Sequence, residues 1–241
     1  MRLVEYSSNI PEEMIALDEL LLTKAETGRI GETLRIWNSR EYFVVTGRAK
    51  KAQKDCFPDR CRRDGIKIIR RISGGGTVLE GPGCLNYSAV LSYGRDKKYK
   101  DIRYSYRRIL ESFSERFKTK GLDVEFLPVS DLALNGKKIS GNAQARKRKY
   151  FLHHGTFLFD FNIRKISRYL RYPDREPEYR KGRKHEDFLA NIPVTAGKLE
   201  EIIREVFSPS SAVWRPEQED LKELRALTLR KFANNKWNDA F

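Results

Sequence analysis

The chain has 241 residues, 39% of them hydrophobic, and its 48 lysines and arginines against 33 acidic residues give a net charge of +15. That length suits one large domain with a core that needs no staples. Cys56, Cys61 and Cys84, with His153, His154 and His185, show no CxxC or Cys/His spacing, which excludes a disulfide scaffold and a zinc module. No apolar leader or membrane-length run occurs, so a soluble cytoplasmic protein is expected.

The positive excess admits nucleic acid, an acidic partner or an anionic substrate. It is spread along the chain, with local runs at residues 146–149 and 180–184, rather than gathered on one helix or interleaved with stacking aromatics. Nucleic acid is therefore not the expected partner. For either run alone, a solvated basic surface is the competing reading.

In chain order, Ile10, Met14, Leu17 and Leu21 share one face at helical spacing and predict an amphipathic helix over residues 11–27, with Pro11 in its first turn. Residues 34–37 and 42–46 read as strands joined by a polar turn into a hairpin. A short helix is expected over 50–56 and a β-branched strand over 66–69. That strand leads into RRISGGGTVLEGPGCLNYS. Adjacent glycines weaken a helix or a strand. They suit backbone that turns sharply and converges its N–H groups on an anion. Arg70 and Arg71 place planar, bidentate donors at the mouth of this turn. The expectation is a loop that receives an anionic small molecule; a glycine-rich hairpin with exposed arginines is the alternative. No Gly-Lys-Ser/Thr follows, so this is not a P-loop, and strand rather than helix follows the glycines, so it is not a dinucleotide-binding fingerprint.

Residues 86–93 read as a strand. Ile102, Ile109, Leu110, Phe113 and Phe117 predict a helix over 102–120 that stops at Gly121. Short strands are expected at 124–127 and 131–134, and Asn135-Gly136 is a hairpin signal that returns the chain as a strand over 137–140. In DLALNGKKISGNAQ, an Ile139 pointing into the core would turn Lys138 and Ser140 to the other face. There a lysine offers compact charge to a phosphate or carboxylate; a solvent-facing hairpin lysine is the alternative. Residues 155–161 read as the final strand, 171–193 as a long basic loop of the kind that forms lids, and 196–207 and 217–232 as closing helices. Strands and helices mixed without βαβ alternation indicate an α+β fold, with a mainly antiparallel sheet flanked by helices.

Four segments keep common order and spacing: RRISGGGTV (70–78), GCLNYS (83–88), NGKKISGNAQ (135–144) and HHGTFLFDFN (153–162), with ALDE at 16–19. Together they resemble the lipoate–protein ligase family of the biotin/lipoate ligase and octanoyltransferase superfamily, over most of residues 10–165. The resemblance implies a class II biotin/lipoate ligase-like catalytic domain over residues 1–241, without a separate C-terminal accessory domain. It implies that ATP and lipoate (or octanoate) give an acyl-adenylate and pyrophosphate, and that the acyl group then passes to a carrier lysine. By resemblance, Arg71 and the loop Ser73, Gly74, Gly75, Gly76, Thr77, Val78 and Leu79 would hold the lipoyl and nucleotide portions. Lys138 would be the catalytic lysine, facing carboxylate and α-phosphate, with Gly141 and His154 in the same pocket. The physics agrees: a lysine, an arginine and backbone N–H groups offset the repulsion between a carboxylate and a polyanion, and Mg2+ is expected to screen the phosphates. The resemblance assigns no metal ligands. Its implied partners are an acidic lipoyl carrier domain or a glycine cleavage H-type protein, docking on the two basic runs, and a separate accessory chain.

Departures accompany the resemblance. Glu80-Gly81 stand where many members carry His-Asp, and Cys84 where Asn is common. The runner-up is an octanoyl or lipoyl transferase acting without ATP. Such relatives use a cysteine nucleophile beyond the HGT-type segment, and no cysteine follows Cys84, which reads as a small buried residue, with a nucleophile as the alternative. A non-catalytic lipoyl- or nucleotide-binding module is the third reading, against which Arg71 and Lys138 count. His154 lines the pocket or orients the Lys138 hairpin; His153 and His185 read as structural or surface residues.

Overall fold

The computed structural model describes residues 1–239. Its elements run β1 (Arg2–Val4), α1 (Pro11–Glu26), β2 (Thr33–Trp37), β3 (Phe43–Thr46), α2 (Ala52–Asp55), α3 (Pro58–Arg63), β4 (Lys67–Arg70), β5 (Val78–Glu80) and β6 (Cys84–Ser92). There follow α4 (Ile102–Thr119), β7 (Val124–Leu127), β8 (Asp131–Leu134), β9 (Lys137–Arg146), β10 (Tyr150–Leu158), α5 (Arg164–Tyr169), α6 (His185–Phe188), α7 (Ala196–Phe207), β11 (Val213–Trp214), α8 (Gln218–Leu227), a π-helical turn over Thr228–Phe232, and α9 (Asn235–Asn238). The main sheet has eight strands in the order β11-β1-β2-β6-β10-β9-β8-β7, and β4-β3-β5 form a second, smaller sheet. Most pairings are antiparallel; β1 with β11 and β2, and β3 with β4, are parallel.

Period-two alternation on the paired strands β6 and β10 separates core from cavity. On β6, Leu85, Tyr87, Ala89 and Leu91 enter a cluster with Phe113 and Phe117 of α4 and Ile202 and Phe207 of α7. On β10, Phe151 and Phe157 join them. The intervening residues face the opposite side, where Val90 and Leu152 pack with Leu17 and Leu21 of α1, Phe43 and Val45 of β3, and Phe232. Asn86, Ser88, His154 and Thr156 are the polar members of that second face and border a cavity. Antiparallel register sets Thr156 opposite Asn86 and His154 opposite Ser88, so these four are cross-strand neighbours.

Several expectations need correction. Residues 34–37 and 42–46 are not a hairpin: β2 lies in the large sheet between β1 and β6, and β3 in the small one between β4 and β5. Both strands are almost wholly buried, and each finds its partners elsewhere. α1 is buried on most sides, not on one stripe, because α8 covers the side away from the sheet; Lys24 of α1 is itself buried against Asp220 of α8. Ile10 and Ile102 start their helices and are exposed rather than packed. The strand expected at 155–161 starts earlier, at Tyr150, and ends at Leu158; β11 follows it at the sheet edge. β1, α3, α5, α9 and the short helical pieces inside 171–193 carry too few apolar residues for a periodic signal.

His153 sits in the large core, wholly buried. Its Nδ1 accepts from Gln144 Nε2 at 3.0 Å and its Nε2–H donates to Tyr87 Oη at 3.1 Å, while Tyr87 donates on to Asn142 Oδ1 at 2.7 Å. Burial, and then the nearby His154 and Arg146, hold the imidazole neutral, with its pKa lowered to about 3. The unfolded chain protonates this histidine near pH 6.5, so stability from its neutral form is complete above that pH and declines as pH falls towards the folded value. At pH 5 the loss amounts to about 2 kcal/mol. His153→Gln is expected to flatten the fall in urea-denaturation midpoint between pH 7 and pH 5; an unchanged slope would contradict this assignment.

Candidate active site

The cavity has a volume of about 1240 Å³ and lies between the polar face of β6, β9 and β10, the glycine loop, and the segment 171–189 that passes over it. Arg71, Gly75, Gly76, Thr77, Val78, Leu79, Lys138, Gly141 and His154 all border it. The two sequence segments singled out for anion chemistry therefore meet in one space. Ser73 stands directly behind the loop and Gly74 continues it.

The glycine loop is held from inside by Arg71. Its Nη2 donates to Gly74 O at 2.6 Å and Gly76 O at 2.8 Å, its Nη1 to Val45 O at 3.3 Å, and its Nε to Ser73 Oγ at 2.9 Å. Trans peptide planes then point the N–H groups of Gly75 and Thr77 the other way, outward from Arg71. Gly75 has φ +89°, and a Cβ there would meet Arg71 Nη2 at 2.9 Å, so this position needs glycine twice over. Gly47 is a requirement the sequence did not disclose: a Cβ on it would lie 2.2 Å from Gly75 O. Burial lowers the Arg71 guanidinium to about 10, with Glu80 acting in the opposite direction; it remains charged at neutral pH.

Behind the loop runs a buried polar chain. Ser73 Oγ lies 2.7 Å from His154 Nε2, His154 Nδ1 lies 2.9 Å from Asp18 Oδ2, and Asp18 Oδ1 accepts from Arg35 Nη1 at 3.1 Å. The Ser73 hydroxyl is thus held between Arg71 and His154, whose other ring nitrogen faces Asp18. The order serine, histidine, aspartate matches a hydrolytic triad. Here, however, the serine hydroxyl is 1% exposed and already engaged by Arg71, so the chain fixes a loop rather than arming a nucleophile. Burial alone would raise the Asp18 carboxyl; the His154 contact and Arg35 outweigh it and lower the pKa. Arg35 is wholly buried, also donates to Met14 O at 2.7 Å, and lies 4.7 Å from the Trp37 ring centroid.

Lys138 reaches the cavity by a route slightly different from simple alternation. Ala133 pairs with Lys138 and Leu132 with Ser140, so Ile139 is an extra, bulged residue that enters the core. The Lys138 ammonium lies 2.8 Å from Asp131 Oδ1 and where a Cβ on Gly141 would sit, 2.8 Å away. Asp131 Oδ2 accepts from Tyr179 Oη of the overlying segment at 2.8 Å. Ser140 borders the cavity but is buried, its Oγ 3.5 Å from Asn142 Nδ2.

Other candidates fall differently. Arg70 is wholly buried and points away from the loop mouth, donating to the carbonyls of Gly47, Arg48, Lys50, Trp237 and Asn238. Glu80 is buried in the cavity wall, accepts from Thr156 Oγ1 at 2.8 Å, and has its pKa raised by burial. Cys84 is buried and its thiol is pushed well up, first by burial and then by Glu80. His185 borders the cavity, its Nε2 3.1 Å from Arg171 O. The two basic runs lie at opposite ends of β9. Arg183 bonds Gly136 O, beside the start of β9, and Arg146 ends that strand; ten residues at about 3.3 Å each separate them by roughly 30 Å. Arg180 is 4% exposed and Arg146 lies near Tyr93 and Phe151.

Removing Asp18 would strand Arg35 as a buried charge without its carboxylate. Asp18→Ala is expected to cost about 3–5 kcal/mol in urea denaturation, and Ser73→Ala about 1–3 kcal/mol. Equal, small effects from both would contradict the buried chain.

The sequence matches the lipoyl protein ligase A/B catalytic domain model over residues 10–206. The octanoyltransferase LipM of Lysinibacillus sphaericus is 27% identical, across 95% of this chain and 94% of that protein. A probable lipoate-protein ligase A of Mycoplasma pneumoniae is 30% identical, across 67% of this chain and 46% of its own length. The bi-partite lipoate protein ligase of Thermoplasma acidophilum superposes with a TM-score of 0.83 at 23% identity, covering 99% of this chain and 95% of that one. A cavity joining the glycine loop to Lys138, on a fold shared with lipoate ligases, and a family match spanning most of its length place this chain in the lipoyl protein ligase A/B catalytic domain family.

Proposed function

We propose that this protein is an ATP-dependent lipoate–protein ligase, activating lipoate or octanoate as the acyl-adenylate and passing the acyl group to a carrier lysine. The observation that carries this reading is one cavity holding Lys138 and the glycine loop with no cysteine on its wall among the described residues. A thioester enzyme needs an accessible, ionisable thiol, whereas Cys56, Cys61 and Cys84 are all buried. In the first step a carboxylate oxygen bonds to the α-phosphorus of ATP, and the bond to pyrophosphate breaks. In the second, the carrier amine bonds to the acyl carbon, the bond to AMP breaks, and the amine gives up a proton. Lys138 faces the charge that gathers on the oxygens between acyl group and phosphate, and the outward N–H groups of the loop add donors to the same region. No cluster of three or more metal-ligating side chains exists among the described residues. Mg2+ is expected to arrive on the phosphates, and Asp55 and Asp131 are among the carboxylates that border the cavity.

Octanoyl transfer without ATP is the second reading, favoured by the LipM match over nearly the whole chain. The carrier is expected to be a lipoyl domain, since the T. acidophilum ligase is described together with its E2 lipoyl domain, and that ligase's bi-partite make-up supports a separate accessory chain here. Purified protein with lipoate, ATP and Mg2+ is expected to release pyrophosphate. Lys138→Ala is expected to slow this at least about 100-fold, roughly 2.7 kcal/mol, and Cys84→Ser to leave it unchanged. A wild-type rate no higher than that of Lys138→Ala, with ATP-independent transfer from an octanoyl carrier, would favour the second reading.

A further inference from the structure

We propose that Arg180, on the segment over the cavity, is a second oxyanion receptor, taking the phosphate of the acyl donor's activating group opposite Lys138. This rests on the acyl-activation reading of the cavity and adds a residue to it. Arg180 stands within the basic run 180–184, yet it is 4% exposed and borders the cavity. The rings of Tyr172 and Phe188 lie 4.6 and 4.8 Å from its guanidinium carbon, which restricts the plane's orientation. Its Nε edge is used: it donates to Arg183 O at 2.9 Å and lies 3.4 Å from Glu176 Oε2. Its Nη2 is shielded from solvent and has no hydrogen-bond partner among the described residues.

The cation itself is compensated by Glu176, but a buried N–H left without an acceptor is costly, and such groups persist where something supplies the acceptor. A guanidinium with its Nε edge anchored and its Nη2 unpaired keeps a donor for a phosphate oxygen that enters beside it. The neighbouring Tyr179 donates to Asp131, which also holds Lys138. Arg180's sequence neighbour and the lysine thus share one carboxylate, and Arg180 and Lys138 border the same cavity. Two sources present this chemistry: the triphosphate of a nucleotide, and the phosphates of a pantetheine-linked acyl donor.

The test is calorimetric titration of the whole protein and of Arg180→Gln and Arg180→Lys with pyrophosphate, coenzyme A and lipoate. With melting temperatures preserved, Arg180→Gln is expected to weaken pyrophosphate or coenzyme A about 10- to 100-fold. Arg180→Lys is expected to recover part of that loss, and lipoate affinity to stay within about twofold. Loss for pyrophosphate identifies the nucleotide. Loss for coenzyme A alone keeps Arg180 as the receptor while removing the ATP reading. Unchanged affinity for both overturns the proposal. Should the variants not fold, trypsin cleavage after Lys181 in the native protein decides: pyrophosphate or coenzyme A slows it if the proposal holds, and neither does if it fails.

Discussion

The site depends on a buried charge and the chain of hydrogen bonds that disposes of it. Arg35 is drawn out of water by β2, and Asp18 on α1 neutralises it. The same carboxylate orients His154 on β10, which orients Ser73, which receives Arg71. Three distant stretches of sequence are thereby locked to one loop geometry. Such a buried network stabilises only while every member is satisfied. Here the return is placement: Arg71 is left with its fork turned onto the loop carbonyls, and the loop's amides face out. An arginine beside a glycine loop would ordinarily be read as the ligand's direct partner. In this fold its donors are largely spent on shaping the surface the ligand meets.

Lys138 is organised on the opposite principle. Its position comes from a β-bulge at Ile139 and its company from Asp131, so its charge is partly compensated until an anion competes for it. Because Asp131 also holds Tyr179, the covering segment and the lysine are tied to one carboxylate. The wall between loop and lysine is built from the polar positions of β6 and β10, whose alternate residues form the aromatic core. Core packing and site geometry are thus consequences of one strand register.

Local chemistry made parts of this legible in advance. Pro11 at a first turn, the heptad-like apolar residues of α4 and the Asn135-Gly136 turn each specify an element by themselves, and each element is present. The glycine loop and the Lys138 hairpin stood out because they break ordinary strand composition. What stayed hidden was set by tertiary partners. A buried β2 and β3 look like a hairpin until the sheets divide them. Arg70 and Arg71 are identical in type and adjacent, yet one is swallowed by the C-terminal segment and the other faces the cavity. Asp18 and Glu80 read as ordinary acidic residues, and nothing local marks either as buried. Arg180, within a basic run, reads as solvated surface until Tyr172 and Phe188 cover it. Family membership came from the order of four segments; the choice between ATP-dependent ligation and octanoyl transfer lies in the finer chemistry of the cavity.

On the proposed function, the glycine loop and Lys138 grip the two sides of one acyl–phosphate junction. A crystal structure with a non-hydrolysable sulfamoyl analogue of lipoyl-adenylate tests it most directly. The sulfamoyl oxygens are expected between Lys138 Nζ and the amides of Gly75 and Thr77, with the Asp18–His154–Ser73 chain unchanged. An analogue bound outside this cavity, or one that leaves Lys138 on Asp131 and touches neither amide, would contradict it.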